Sequence, residues 1–117
     1  MPSIVLISAD LMTSSRVASA ATAGGITCRT ALNIAKLGEL IDAETSAVVF
    51  DLSTAGARAA DVVAAVRKSA SSAKVIAFGP HVHEALLASA AEAGCDSVVS
   101  RGEFFARLPE LLQAPKS

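Results

Sequence analysis

The sequence contains no tryptophan, no tyrosine and only four phenylalanines, so that aromatic residues make up 3% of the chain. Nucleic-acid sites commonly stack bases on aromatic rings, so the scarcity of aromatic residues argues against a nucleic-acid site. Positive charge is not in excess either, because ten Lys and Arg residues are balanced by eleven Asp and Glu. A chain with a formal net charge of −1 has no strong positive field to attract phosphates. We therefore expect no nucleic-acid partner.

Cysteine and long apolar runs are also scarce. Cys28 and Cys95 are far apart and match no metal-binding spacing. We expect both to be buried, reduced thiols, as is typical of a cytoplasmic protein. No apolar stretch approaches the ~20 residues that a membrane-spanning helix requires. The opening "MPSIVLISAD" lacks the basic segment of a signal peptide, and we expect a cytoplasmic protein without a membrane partner.

The sequence does contain five short apolar runs rich in Val and Ile. Most are continuous rather than alternating, which favours strands that are buried on both faces of a parallel sheet. Segments rich in Ala and Leu with helical spacing lie between them. We predict a single α/β domain over 1–117, a doubly wound sheet of five β-α units with a frayed tail at 114–117. The predicted strands are 3–8, 26–31, 47–50, 74–78 and 97–100, and the predicted helices are 13–23, 33–42, 59–68, 83–93 and 104–112.

Local signals refine the helix ends. Glycine suits the position that follows a helix, and Gly24, Gly25 and Gly94 occupy such positions. Thr13, or a serine next to it, is the predicted N-cap of the first helix.

Polar residues follow several of the predicted strands. The stretch "SAVVFDLST" ends an apolar strand on Asp51, which is where a parallel α/β sheet places its functional groups. The other strand ends meet at the same edge of the sheet, and a cleft is expected there. The residues expected to surround it are Ser8, Ala9, Asp10, Asp51, Gly79, Pro80, His81, Ser100, Arg101 and Gly102.

Three segments resemble the receiver domain of bacterial two-component response regulators. They are "IVLISADLMTSSRVASAATAGGITC", "AVVFDLS" and "KVIAFGPHVHEALLASAAEAGCDSVVSR". Their order and spacing agree with the family's, so the resemblance extends over nearly the whole length of the chain. The resemblance implies a flavodoxin-like sheet with strand order 2-1-3-4-5. It also implies that Asp51 occupies the phosphoacceptor position, and that a sensor kinase or a regulatory target is the partner.

The rest of the site departs from the pattern that the resemblance implies. A receiver has an acidic pair after strand 1 that holds Mg²⁺ together with the phosphoacceptor. Asp10 and Asp51 alone give Mg²⁺ few of the hard oxygen ligands that it needs. One hypothesis is that Arg101 pairs with Asp51 in place of the metal. The acidic pair falls on Ser8 and Ala9, the Thr or Ser position on Gly79, the Lys-Pro position on Arg101 and Gly102, and the aromatic switch position on Val98.

We therefore expect a stand-alone, atypical receiver-like domain that acts in regulation through protein contacts, independently of phosphorylation. It would be no enzyme and would need no cofactor. Two alternatives remain open: a phosphoacceptor at Asp51 that uses Mg²⁺, and a binder of small molecules or anions in the strand-end cleft. The partner surface, or the interface of a homodimer, is expected on helix 4, strand 5 and helix 5. Its candidate residues are His81, His83, Val98 and Phe105, whereas Phe104 and Leu108 are expected in the core.

Overall fold

Five parallel strands form a single sheet in this computed structural model, which describes residues 3–32, 34–54, 58–69, 73–80 and 82–112. The order across the sheet is β2-β1-β3-β4-β5, as expected. Each strand lies within a residue or two of its predicted bounds. The strands are β1 (Ser3–Ile7), β2 (Thr27–Ala31), β3 (Thr45–Asp51), β4 (Lys74–Gly79) and β5 (Ser97–Ser100). The continuous apolar runs mark strands that are covered on both faces, as in β1, β3 and β4. The edge strand β2 is different, because most of its residues are exposed or half-buried.

Helices follow the strands, but two of them differ from the prediction. The predicted helix 33–42 is a 3-10 turn at Ile34–Lys36 followed by a single helical turn, α2. The predicted helix 104–112 is two short helices that meet at Arg107. Pro109 has no N–H to donate to the preceding turn, and it disfavours helical geometry at the residue before it. The helices are α1 (Leu11–Ala23), α2 (Leu37–Leu40), α3 (Ala59–Ser69), α4 (Glu84–Glu92), α5 (Arg101–Ala106) and α6 (Leu108–Leu112).

Helix ends confirm the predicted glycine positions. Gly25 and Gly94 have φ of 73° and 103°, a region that other residues rarely adopt, and each follows a helix. The predicted cap of α1 is wrong, however. Asp10 is the N-cap, because its carboxylate accepts a hydrogen bond from the backbone N–H of Met12, so the helix begins at Leu11.

The core lies on both faces of the sheet. One face packs against α2, α3 and α4 and contains Phe50. The other packs against α1, α5 and α6, where the rings of Phe78 and Phe104 stack with their centroids 4.1 Å apart. Phe104 and Leu108 are buried here, as predicted.

Several predictions about the edges and ends of the chain can be compared with this architecture. Cys28, on the edge strand β2, and Cys95 are both free and only partly buried, and burial raises the pKa of both thiols. No helix within the described ranges has the length and apolar character needed to cross a membrane. The predicted frayed tail at 114–117 lies outside the described residues.

Candidate functional site

Asp51 is the last residue of β3 and is 2% exposed. The strand register explains its position: Ile7, the last residue of β1, pairs with Phe50, so the residues that follow β1 flank Asp51. The hydroxyl of Ser8, which is itself fully buried, donates a hydrogen bond of 2.8 Å to Oδ2 of Asp51. The backbone N–H of Ser53 donates one of 2.9 Å to Oδ1. Both carboxylate oxygens therefore have a donor, which is what a buried charge requires.

Ser8 links Asp51 to the start of α1. Its Oγ donates to Asp51 and also accepts a hydrogen bond of 3.2 Å from the backbone N–H of Asp10. Ser8 thus occupies the position that the family resemblance gives to an acidic residue. Its hydroxyl is a hydrogen-bond donor to Asp51, whereas a carboxylate at this position would add a negative charge. The neighbouring Ala9 is exposed and has no side-chain oxygen.

Asp10 is engaged away from Asp51. Its Oδ2 accepts a hydrogen bond of 2.7 Å from the hydroxyl of Thr13 and one of 2.8 Å from Arg101. The Thr13 hydroxyl, the Met12 N–H and the Arg101 guanidinium hold the pKa of Asp10 below its usual value, against a smaller opposing effect of desolvation. Asp10 therefore acts as a helix cap and an ion-pair partner.

The hypothesis that Arg101 forms an ion pair with Asp51 is wrong, because Arg101 pairs with Asp10. Its NH2 lies 2.8 Å from Asp10 Oδ2 and 2.9 Å from Thr13 Oγ1, and no ion pair joins it to Asp51 in the described part of the chain. The reason is geometric: Arg101 is the first residue of α5, and α5 packs on the same face of the sheet as α1. We call the Arg101–Asp10–Thr13 contact the clasp.

Gly79, at the end of β4, lies against Leu52. A Cβ atom built on Gly79 would lie 3.2 Å from Cβ and Cδ1 of Leu52 and 3.6 Å from Cδ2 of Leu87. Contacts of 3.2 Å are too short unless the neighbour shifts, and Leu52 is a buried side chain. The space for a Thr or Ser side chain at this position is thus filled by the residue that follows Asp51.

These contacts test whether the residues could hold the Mg²⁺ that the fold resemblance implies. Among the described residues, Asp51 supplies the one carboxylate directly at the strand ends, and its oxygens already accept from Ser8 and Ser53. The carboxylate of Asp10 is used by Thr13 and Arg101. No group of three His, Cys, Asp or Glu side chains within the described ranges is arranged to bind a metal. The donor set does not fit Mg²⁺, which prefers several hard oxygen ligands in octahedral geometry.

The described residues of the predicted partner surface, His83, Val98 and Phe105, do not share one face of the sheet. Val98 packs on the face that carries α4, whereas Phe105 packs on the opposite face, beside Phe104. His83 precedes α4 and is exposed. His81 lies outside the described residues.

Two residues of the site could not have been identified from the sequence. Thr13 joins the clasp, although its position suggested only a helix cap. Leu52 fills the space beside Gly79, and no sequence pattern marks it apart from its position directly after Asp51. The glycine at position 79 is the one sequence feature that could have indicated a neighbouring side chain in the space of a Thr or Ser.

The chain matches no protein-family model and no curated protein. Solved structures with the same fold are nevertheless numerous. A response regulator from Thermotoga maritima is 17% identical, with a TM-score of 0.78 over 96% of this chain and 94% of that chain. The receiver domain of a sensor histidine kinase from Pseudomonas aeruginosa, with magnesium in its active-site cleft, is 12% identical, with a TM-score of 0.79 over 96% and 94%.

A third structure has a chemically modified site. It is a response regulator from Burkholderia pseudomallei with a phosphorylated aspartic acid and a calcium ion, 17% identical, with a TM-score of 0.79 over 97% of this chain and 67% of that chain. At such identities the likeness establishes the fold. The protein has the receiver-domain fold, and the flavodoxin-like architecture expected from its sequence is confirmed.

Proposed function

We propose that this chain is a receiver-like regulatory module that acts through contacts with other proteins in the cytoplasm, without phosphorylation of Asp51. One observation carries the proposal: the Ser8 hydroxyl donates to Asp51 Oδ2 at 2.8 Å, in the place where a receiver needs a second metal-binding carboxylate. The fold supports a role in signal transduction, and the solved structures with this fold include response regulators.

The chemistry of phosphoryl transfer explains why this hydrogen bond matters. An attacking carboxylate oxygen must be free, and cations must neutralise the charge that spreads over the phosphoryl oxygens. Here each oxygen of Asp51 is occupied by a donor, and the cation Arg101 is paired with Asp10. Gly79 offers no hydroxyl to contact a phosphoryl group. We accordingly propose that the chain catalyses no reaction of its own.

Exposed apolar side chains support protein contacts. They follow β1, β2 and β4, so they lie around the same edge of the sheet as the cleft. Large apolar side chains that are mostly exposed are typical of interaction surfaces when they cluster. We call this set the carboxyl rim: Leu11, Met12, Leu32, Val82 and Leu86, with exposed fractions of 79%, 75%, 61%, 79% and 38%.

The carboxyl rim complements the surface expected from the sequence. Val82 lies beside His83 at the start of α4, so this part of the expected surface is exposed and apolar. A partner that docks on the rim would cover the end of β3, where the buried Asp51 lies. A regulatory target protein fits this role, and a second copy of the chain is the remaining candidate.

The experiment is an amide NMR titration with Mg²⁺ and then with Mg²⁺ plus beryllofluoride, which mimics a phosphorylated aspartate. We expect no saturable shifts at Asp51, Asp10 or Gly79. The Pseudomonas receiver domain, which holds magnesium in its cleft, serves as the positive control under identical conditions. The Ser8→Asp variant is the matched comparison, since it returns a carboxylate beside Asp51.

Saturable shifts around Asp51 in the unmodified protein would overturn the proposal. They would instead support a phosphoacceptor that receives its phosphoryl group from a sensor kinase. Phosphorylation of the purified protein by acetyl phosphate, detected as an added mass that is lost in Asp51→Asn, would have the same meaning.

A further inference from the structure

A groove of about 440 Å³ lies beside the clasp, between α1 and α5. Its lining includes the Asp10–Arg101 pair, Arg16, Met12 and Phe105. This volume is within the range of pockets that hold small molecules, roughly 300 to 1,000 Å³. Asp51 is not part of its lining, so the groove is separate from the buried carboxylate at the end of β3.

Arg16 is the distinctive residue of the groove. Its guanidinium carbon lies 3.8 Å from the centroid of the Phe105 ring, so the ring holds the charge by a cation–π contact. No carboxylate pairs with Arg16 anywhere in the described part of the chain. Phe105 is in turn fixed by its edge contact with Phe104. The result is an exposed guanidinium that is held in position while its N–H donors have no acceptor among the described residues.

Arg101 adds further donors. It uses NH2 for the clasp with Asp10 and Thr13, which leaves Nε and NH1 without an acceptor among the described residues. Two guanidinium groups and one carboxylate in the lining leave one net positive charge. The Asp10 oxygens already accept hydrogen bonds from Met12, Thr13 and Arg101. These donors reduce the repulsion that the Asp10 carboxylate would exert on an anion bound in the groove.

The apolar side of the groove defines the rest of the ligand. Phe105 and Met12 present a ring and a flexible thioether, and such surfaces accept apolar groups of varied shape. Met12 is 75% exposed, so burial under a ligand would remove much of its surface from water. A bare inorganic anion would use the guanidinium groups and leave this surface uncovered.

We propose that this groove binds a small organic anion, with a phosphoryl or carboxylate head on an apolar body. The head accepts hydrogen bonds from Arg16 and Arg101, because planar guanidinium groups match the geometry of both kinds of oxyanion. The body packs against Met12 and Phe105. The inference does not rest on the proposed function, since Asp51 is not in the lining and Met12 is the one residue that the groove shares with the carboxyl rim.

The test is an amide NMR titration with four probes: phenyl phosphate, benzoate, inorganic phosphate and benzyl alcohol. We expect saturable shifts at Met12, Arg16, Gly102 and Phe105 with phenyl phosphate, benzoate or both. Inorganic phosphate, which has no apolar body, should bind more weakly. Benzyl alcohol, which has no charge, should cause no saturable shift.

The deciding variant is Arg16→Gln, in which the exposed side chain loses its charge and the fold is verified from the same spectrum. Loss of a charge-assisted contact should weaken binding by roughly tenfold or more. Arg58→Gln is the matched control, because Arg58 is an exposed arginine near α3, on the opposite face of the sheet. It removes the same charge from the protein and should leave the affinity unchanged.

Three results would overturn the inference. The first is the absence of saturable binding with both organic anions. The second is an equal loss of affinity in Arg16→Gln and Arg58→Gln, which would indicate a general charge effect. The third is equal affinity for inorganic phosphate, which would show that the apolar wall plays no part. Shifts centred on Asp51 would bear on the proposed function instead, so the two failures are distinguishable.

Discussion

Replacing Ser8 with alanine tests the arrangement around Asp51 most directly. The substitution removes the hydroxyl that donates to Asp51 Oδ2 at 2.8 Å and accepts from the Asp10 N–H at 3.2 Å. Asp51 is 2% exposed, so water cannot readily replace the lost donor. A hydrogen bond to a charged group contributes about 1.5 to 3 kcal/mol, and an unsatisfied buried charge costs at least as much. We expect a loss of about 2 kcal/mol.

This loss corresponds to a measurable change in the melting temperature. Unfolding entropy averages about 2.1 cal/mol/K per residue, which is about 0.25 kcal/mol/K for 117 residues. A loss of about 2 kcal/mol should therefore lower Tm by about 8 °C. Because the chain has no Trp or Tyr, the assay is far-ultraviolet circular dichroism during urea and thermal unfolding.

Ser46→Ala is the matched control. The Ser46 hydroxyl donates to a neutral acceptor, the backbone oxygen of Ser3, at 3.2 Å, and it is only partly buried. Its removal should cost about 1 kcal/mol or less. Equal losses in the two variants would refute the argument that Ser8 stabilises a buried charge. So would additive effects of Ser8→Ala and Asp51→Ala, since residues in direct contact should show a coupling energy.

Three further perturbations probe the rest of the site. The lowered pKa of Asp10 means that its charge stabilises the fold above the unfolded-state pKa of about 3.9 and ceases to do so as the pH falls through the folded-state value. The stability difference between the unmodified protein and Asp10→Asn, measured by urea unfolding, should thus be constant near neutral pH and shrink below about pH 4. A stability difference that does not change with pH would contradict this. Gly79→Ser should lower the free energy of unfolding by about 1 to 3 kcal/mol in the unmodified chain. The loss should be smaller in a Leu52→Ala background, because the shortened side chain at position 52 leaves room for the serine. Additive losses in the double variant would show that Leu52 is not the obstacle. In the presence of a chelator, Ser8→Asp should be less stable than the unmodified protein, because the new carboxylate would lie beside that of Asp51. Mg²⁺ at ten times its Kd should then stabilise the variant by about 1.4 kcal/mol. An equal stabilisation of the unmodified protein by Mg²⁺ would be inconsistent with the site described.

The sheet was predictable because its physical signal is local. Strands buried on both faces need continuous apolar runs, and segments such as "AVVF" contain little else. Helix ends were harder to locate. The stretch "SADLMTSS" offers a carboxylate and several hydroxyls as possible caps, and only the three-dimensional path of the chain selects Asp10.

The site was predictable as a set of positions but not as a set of contacts. Sequence placed Ser8, Asp51 and Gly79 at one edge of the sheet, where the structure puts them. It assigned Arg101 to the wrong carboxylate, because the choice depends on which helices share a face of the sheet. A contact between residues 91 positions apart has no local signature in the sequence.

That separation gives the clasp a kinetic consequence. Arg101 and Asp10 can meet only after the first and last thirds of the chain have come together, and closing a loop of this length has a large entropic cost. We expect such a contact to form in the last stage of folding and to be absent from the transition state, which a φ-value near zero for Arg101→Ala would show. Its stabilisation would then retard unfolding and leave the folding rate almost unchanged. The clasp would thus act on how long the native state persists, independently of how quickly it is reached.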